Sequence, residues 1–209
     1  AQGLAAPSAR GLPASGWRGY GVLVSADLTP DECAPPPGPA PQVPAPKIAL
    51  PVVTCVEGID FHLNGQTIRA IRAPLPAHTD GDTLIYFGEA DVLHTGDTYM
   101  KDRYPFVDTG SGGTQAGFIA AIEKAVQIAG PNTKVIPGHG ELATEADLQA
   151  ALDMHKGARA AVEALVKSGK TLEQAVAAKP LAQWTPRFGQ GGFIYEDAYV
   201  TVIYNELKK

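Results

Sequence analysis

Histidine lies beside glycine in three segments that decide the fold: Ala77-His78-Thr79-Asp80-Gly81-Asp82, Leu93-His94-Thr95-Gly96-Asp97-Thr98 and Ile136-Pro137-Gly138-His139-Gly140. Each segment follows a predicted strand or separates two of them, and loops at strand ends commonly display metal-binding and catalytic groups. Imidazole and carboxylate are suitable zinc ligands, and one carboxylate can bridge two ions. Each segment alone is more typical of a plain turn, but their order and spacing together indicate a metal site.

Alternating strands and helices surround these segments. Asn64-Gly65 separates two runs in which apolar and polar residues alternate, 59–63 and 67–71, which predicts a type I′ hairpin. Further strands are predicted at 83–87, 92–94 and 133–136, the last of them ended by Pro137-Gly138. Apolar spacing predicts helices at 114–129 with Thr114 as N-cap, from Thr144 to about residue 166, after Thr171, and from about 195 to 207. This order predicts a layered α/β domain.

The first quarter of the chain differs from the rest. Residues 1–50 are irregular, and seven prolines between positions 35 and 46 exclude helix and central strand there. A short buried strand is predicted at Gly21-Val22-Leu23-Val24. We expect a single domain over residues 1–209, with its patterned part beginning at about residue 51. Cys33 and Cys55 flank the proline-rich run, and their spacing leaves one disulfide and two free thiols equally open.

The three histidine segments, in this order, resemble those of the metallo-β-lactamase superfamily. Its members bind metal through a histidine in an HTxGD-like loop, an aspartate in an FTGD-like loop and a histidine in a PGHG-like loop. The matching positions here are His78, Asp97 and His139. The resemblance extends from about residue 51 to the end, and it implies an αββα sandwich that is incomplete at its N-terminus.

The same resemblance implies a zinc-dependent hydrolase with two metal ions. His78 would bind one ion, His139 the other, and Asp97 would bridge them as the catalytic residue. Metal-bound hydroxide would then attack an ester, thioester, lactone or β-lactam carbonyl. An aspartate rather than a cysteine at the bridging position is more similar to the glyoxalase II-like branches than to the most familiar β-lactamase subclass.

Carboxylates near His78 have a candidate supporting role. Asp80 or Asp82 could orient His78 through its second ring nitrogen, as carboxylates commonly do for zinc ligands. The alternative for each is a solvent-exposed turn residue, which is favoured for Asp82. His94 precedes the Asp97 segment and could support the metal ligands, although a hydrogen bond to the backbone is the favoured role.

Aromatic residues follow Asp97 where a substrate wall is expected. Tyr104, Phe106 and Asp108 lie in this stretch. Tyr104 and Phe106 could equally be ordinary packing residues. His62 on a hairpin strand and His155 in the long helix are interpreted as structural.

The superfamily's His-x-His-x-Asp-His motif is absent from the sequence. Without it, each ion would keep one histidine and the shared Asp97, whereas catalytic zinc usually has three protein ligands. Three explanations compete: a truncated and impaired hydrolase, which is favoured; a non-catalytic homologue that acts as a binding or oligomeric scaffold; and a partner chain that completes the site. The missing strands would leave sheet edges exposed, so we expect a homo-oligomer that covers them.

Bulk properties narrow the range of partners. The net charge of −5 argues against nucleic acid, because phosphate binding requires a basic face. No apolar run approaches the roughly 20 residues that span a bilayer, so no membrane partner is expected. The expected partner is a small molecule with a carbonyl to hydrolyse. A periplasmic or secreted location is slightly favoured over a cytoplasmic one, because chains of the resembled family are often exported.

Overall fold

A computed structural model describes residues 48 and 53–209. The strand predicted at 21–24, the proline-rich run and Cys33 lie outside these residues. Five strands form one sheet in chain order, and neighbouring strands are antiparallel except for the parallel pair β4 and β5. The strands are β1 (Gly58–Leu63), β2 (Gln66–Arg72), β3 (Thr83–Phe87), β4 (Val92–Met100) and β5 (Lys134–His139).

The predicted hairpin is confirmed as the β1–β2 pair. Asn64 has φ 52° and Gly65 has φ 74°, and a type I′ turn requires positive φ at both central residues. The turn fixes the register so that Leu63 lies opposite Gln66 and Gly58 opposite Ile71. The alternation of the sequence therefore sends one set of side chains to each face of the sheet.

Two strands extend further than predicted. β4 continues from His94 through Asp97 to Met100, with register irregularities on both sides of Gly96, so that Asp97 lies within a bulged strand rather than in a loop after it. β5 continues through Pro137 to His139. Proline lacks the N–H that a central strand must donate, but β5 is an edge strand of this sheet, where proline is tolerated.

Five α-helices lie in the described part of the chain, and four of them follow the predicted pattern closely. The five are α1 (Gln115–Ile128), α2 (Glu145–Lys167), α3 (Leu172–Ala177), α4 (Thr185–Phe188) and α5 (Glu196–Leu207). The side chains of Thr114, Thr144 and Thr171 accept hydrogen bonds from backbone N–H groups in the first turns of α1, α2 and α3, which confirms the three predicted N-caps. The one-turn helix α4 was not predicted.

The hydrophobic core lies between the helices and one face of the sheet. Leu84, Leu93 and Val135 point from three neighbouring strands into this core, where they are fully buried with residues such as Phe118 and Leu148. The described residues thus build one sheet and one helical layer of the expected αββα sandwich. No helix in the described part of the chain is both long and apolar enough to cross a membrane.

Candidate functional site

The candidate site lies where the parallel strands β4 and β5 end side by side. Asp97 follows the irregular register at Gly96 in β4, and His139 is the last residue of β5. Gly96 has φ 54°, and its N–H donates a 2.9 Å hydrogen bond to Nδ1 of His94. The bulge turns Asp97 out of the regular alternation of the strand and towards the neighbouring loops.

Asp97 lies between the two other predicted ligands. Its Oδ2 is 3.5 Å from Nε2 of His78, and its Oδ1 is 3.6 Å from Nε2 of His139. Both distances exceed the usual 2.7–3.2 Å of an N–H···O hydrogen bond. Two ligands of one tetrahedral zinc ion, each about 2.0–2.1 Å from the metal, lie roughly 3.3 Å apart. The spacing of each pair is therefore closer to that of shared metal ligands than to that of a direct hydrogen bond.

A glycine on β5 makes room for the Asp97 carboxylate. A Cβ atom built on Gly138 would lie 2.0 Å from Oδ1 of Asp97 and 2.8 Å from the carbonyl carbon and oxygen of Gly96. Any side chain here would displace the carboxylate or the bulge. Gly138 therefore belongs to the candidate site through its backbone, next to His139.

His78 is held by the segment that follows β4. Its Nδ1 donates to the carbonyl oxygen of Phe106 over 2.8 Å, because a carbonyl can only accept. The proton of the neutral ring therefore resides on Nδ1, and the lone pair on Nε2 faces Asp97. The backbone N–H of Asp108 also donates to the carbonyl of His78.

The expected role of Asp80 or Asp82 in orienting His78 is thus filled by a backbone carbonyl. Oδ2 of Asp82 accepts from the backbone N–H groups of Ala77 and Thr79, so Asp82 shapes the turn, the alternative favoured for it. The backbone N–H of Asp80 donates to Ser111, which fastens the turn to the stretch after β4.

Of the three remaining predicted residues, His94 and Tyr104 have structural contacts. His94 accepts from the backbone of Gly96, as the favoured alternative stated. Tyr104 is 1% exposed, its hydroxyl lies 2.9 Å from Oγ1 of Thr185, and burial raises its pKa. Tyr104 therefore packs in the core, whereas Phe106 is exposed beside His78.

Structural comparison places this architecture among known proteins. A metallo-β-lactamase family protein from Thermus thermophilus matches with a TM-score of 0.52 and 18% identity over 80% of this chain and 49% of that chain. The stereoselective inverting sec-alkylsulfatase from Pseudomonas sp. matches with a TM-score of 0.55 and 17% identity over 80% and 26%. A double mutant of the sec-alkyl sulfatase matches with a TM-score of 0.59 and 17% identity over 76% and 26%.

The chain has the metallo-β-lactamase fold. It spans about a quarter to a half of the length of these structures. No family model and no curated protein sequence matches it.

The described residues include side chains of the types that bind zinc, two imidazoles and a carboxylate, but too few of them to hold an ion. Within residues 53–209, no three His, Cys, Asp or Glu side chains are arranged so that they could hold one ion. The two oxygens of Asp97 face different imidazoles, which divides the three side chains into two pairs that share Asp97. Such a set suits one side of a two-ion centre and requires further ligands.

Two different surfaces flank the candidate site. On the His78 side, the ring of Phe106 lies 5.7 Å from the imidazole and 5.7 Å from the ring of Phe193, which is 68% exposed. On the His139 side is a cleft of about 430 Å³ lined by Lys101, Asp102, Arg103, Gly140, Glu141, Arg187, Gln190 and Gly191. The sequence analysis predicted Phe106 but neither Phe193 nor the cleft, since their side chains come from segments distant in sequence.

Proposed function

We propose that the chain is a metal-dependent hydrolase of small-molecule substrates, with His78, Asp97 and His139 as its ligands for zinc. The observation that carries this proposal is the placement of one carboxylate between two imidazoles, with one oxygen facing each Nε2 at 3.5 and 3.6 Å. A purely structural ion pair would need only one imidazole beside the carboxylate, at a hydrogen-bond distance of about 2.7–3.2 Å.

The chain's own residues orient these ligands. Phe106 fixes the His78 ring through its carbonyl, and the small size of Gly138 lets Asp97 lie between the two histidines. His139 is held at the end of β5 by the N–H of Lys101, which donates to its carbonyl over 3.0 Å. Zinc bound there would polarise the scissile group and lower the pKa of a bound water.

The remaining ligands would come from water, from carboxylates or from polypeptide other than residues 53–209. All five histidines of the chain lie in the described part. His155 is buried against Tyr199, and His94 bonds the backbone of its own strand. A partner that supplies imidazole groups is therefore part of the proposal for full activity.

The flanking surfaces bear on the substrate. The aromatic pair of Phe106 and Phe193 favours a substrate with an apolar group on the His78 side. The scissile bond would be that of an ester, thioester, lactone or β-lactam. Two of the matched structures are sec-alkylsulfatases, so an alkyl sulfate ester belongs in the same test.

The test measures zinc per chain by elemental analysis and hydrolysis of a panel of these substrates after loading with zinc. We expect bound zinc in the wild type and a loss of at least about tenfold in zinc affinity for Asp97→Asn, since the bridging charge is removed. Asp153→Asn, an exposed change of the same kind on α2, serves as the matched control. Absence of zinc binding, or unchanged zinc affinity in Asp97→Asn, would contradict the proposal and favour the non-catalytic scaffold.

A further inference from the structure

Glu206 of α5 binds the N-terminus of α1, although the two are distant in sequence. Its Oε2 accepts from the backbone N–H of Gln115 over 2.6 Å, and its Oε1 accepts from that of Ala116 over 3.2 Å. The first four N–H groups of an α-helix have no acceptor within the helix, so they need partners from elsewhere. The positive end of the helix dipole also favours a carboxylate here. Glu206 therefore holds the first turn of α1 from a different helix.

A largely buried polar cluster keeps the Glu206 carboxylate in place. Nη1 of Arg159, on α2, donates to Oε1 of Glu206 over 2.7 Å and to Oε1 of Gln115 over 2.8 Å. The side chain of Glu206 is only 17% exposed. Gln115 is fully buried, and its Nε2 donates to the carbonyl of His155 on α2 over 3.0 Å. Hydrogen bonds between charged groups are roughly twice as strong as neutral ones, so the cluster fixes α1, α2 and α5 at one point.

The first turn of α1 in turn holds the segment that carries His78. Thr114, the N-cap of α1, donates from its backbone N–H to the carbonyl of Ala77 over 2.9 Å and from its hydroxyl to the carbonyl of Pro76 over 2.6 Å. A Cβ atom built on Gly117 would lie 1.6 Å from the Pro76 oxygen, so a side chain at this position would separate α1 from the segment. The two carbonyls that precede His78 are thus both bound by Thr114.

The other two candidate ligands are held by different elements. Asp97 and His139 lie on β4 and β5, and the carbonyl of His139 accepts from the N–H of Lys101. In the described part of the chain, the hydrogen bonds of Glu206 lead to α1 and α2 and not to these strands. A change at Glu206 should therefore disturb His78 and leave His139 in place.

We propose that Glu206 is a positioning residue for His78, which it holds through the first turn of α1. The proposal rests on the proposed function, since it takes His78 as a ligand for zinc. A shift of this turn would move both carbonyls bound by Thr114 and would displace Nε2 of His78 from its place beside Asp97. The alternative is that Glu206 only fastens α5 to α2 through Arg159, which would affect overall stability without any specific effect on His78.

The first test is a double-mutant cycle on zinc affinity, measured in the full chain by competition with a chromophoric chelator. Glu206→Gln preserves the size of the side chain but removes its charge and leaves one oxygen for three donors. It should weaken zinc binding at least about threefold in the wild type and in His139→Ala, but hardly at all in His78→Ala, where the positioned ligand is already gone. Equal weakening in His78→Ala and His139→Ala, or no weakening in the wild type, would overturn the proposal.

The second test needs no metal and follows amide hydrogen exchange by NMR in the presence of a chelator. In Glu206→Gln the N–H of Thr114 should exchange at least about fivefold faster than in the wild type, because the first turn of α1 opens more often. The N–H of Lys101, which binds His139, should exchange at the wild-type rate. Equal acceleration at both positions, or none at Thr114, would overturn the proposal. A chain that binds no zinc would contradict the proposed function, whereas this exchange would still decide whether Glu206 holds the His78 segment.

Glu123→Gln is the matched control for both tests. Glu123 pairs with Lys156 and so also joins two helices, α1 and α2, but it lies beyond the first turn of α1. This variant should retain the zinc affinity and the Thr114 exchange of the wild type, and effects equal to those of Glu206→Gln would overturn the proposal. Circular dichroism verifies folding. If Glu206→Gln does not fold, Glu206→Asp, which keeps the charge but is shorter by one methylene group, replaces it in both tests.

Discussion

Gly138→Ala is the sharpest test of the candidate site, because it changes one methyl group and no ligand. The added Cβ would lie 2.0 Å from Oδ1 of Asp97, whereas ordinary contact begins at 3.4 Å. The carboxylate must therefore move by about 1.4 Å, since the other neighbour, the backbone of Gly96 at 2.8 Å, cannot rotate away. Displacement of a ligand by this amount should cost about 10- to 100-fold in zinc affinity, which is roughly 1.4–2.8 kcal/mol.

Zinc affinity is measured by competition with a chromophoric chelator, and stability by thermal unfolding of the same metal-free samples. Overpacking should lower the free energy of unfolding by about 1–3 kcal/mol. Gly88→Ala is the control, because its Cβ would meet a single atom at 3.4 Å. Wild-type zinc affinity in a folded Gly138→Ala variant would refute the assignment of Asp97 as a ligand.

Three further predictions concern the helical layer. Burial lowers the pKa of His155 to about 3, so the unfolded chain takes up a proton first as the pH falls. The free energy of unfolding should therefore decrease from about pH 6.5 towards pH 3, by at most about 1.4 kcal/mol per unit. Urea unfolding at several pH values should show a shallower decrease for His155→Gln, and parallel profiles would contradict this. Gly157→Ala would place its Cβ 2.3 Å from the Trp184 ring and should lower the unfolding free energy by about 1–3 kcal/mol; an unchanged melting temperature would refute the close packing. Thr144→Ala removes the side-chain oxygen that caps α2 and should lower the free energy of unfolding by about 1 kcal/mol. Thr144→Ser keeps the hydroxyl and should retain most of this stability when both variants are unfolded thermally.

The local elements could be predicted because their signals are local. Asn64-Gly65 determines its hairpin without help from distant residues, and the three capping threonines lie one residue before their helices. β3 begins and ends at the predicted residues, since its apolar run is bounded by turns. Such features depend on a few neighbouring residues, so the local sequence is enough to predict them.

Several details of the site depend on contacts between residues distant in sequence, and a local sequence pattern could not predict these. The partner of His78 is a main-chain carbonyl, and no residue type marks a carbonyl in a sequence. Asp97 was expected in a loop, but pairing with β5 carries β4 through the bulge to Met100. Tyr104 packs inward because α4, a single turn absent from the prediction, supplies Thr185 as its partner.

The candidate ligands are held by protein contacts that require no metal. The bulge at Gly96 orients Asp97, and the absence of a side chain at Gly138 leaves room for its carboxylate. The carbonyl of Phe106 orients His78 through a hydrogen bond. A site arranged in advance spends little binding energy on ordering its own side chains. Weak zinc binding by the isolated chain would therefore reflect too few ligands rather than poorly placed ones. A polypeptide that supplies additional imidazole groups should then raise the zinc affinity of the wild type much more than that of Gly138→Ala. Equal gains in zinc affinity in both proteins would show that the placement of Asp97 has no influence on the metal.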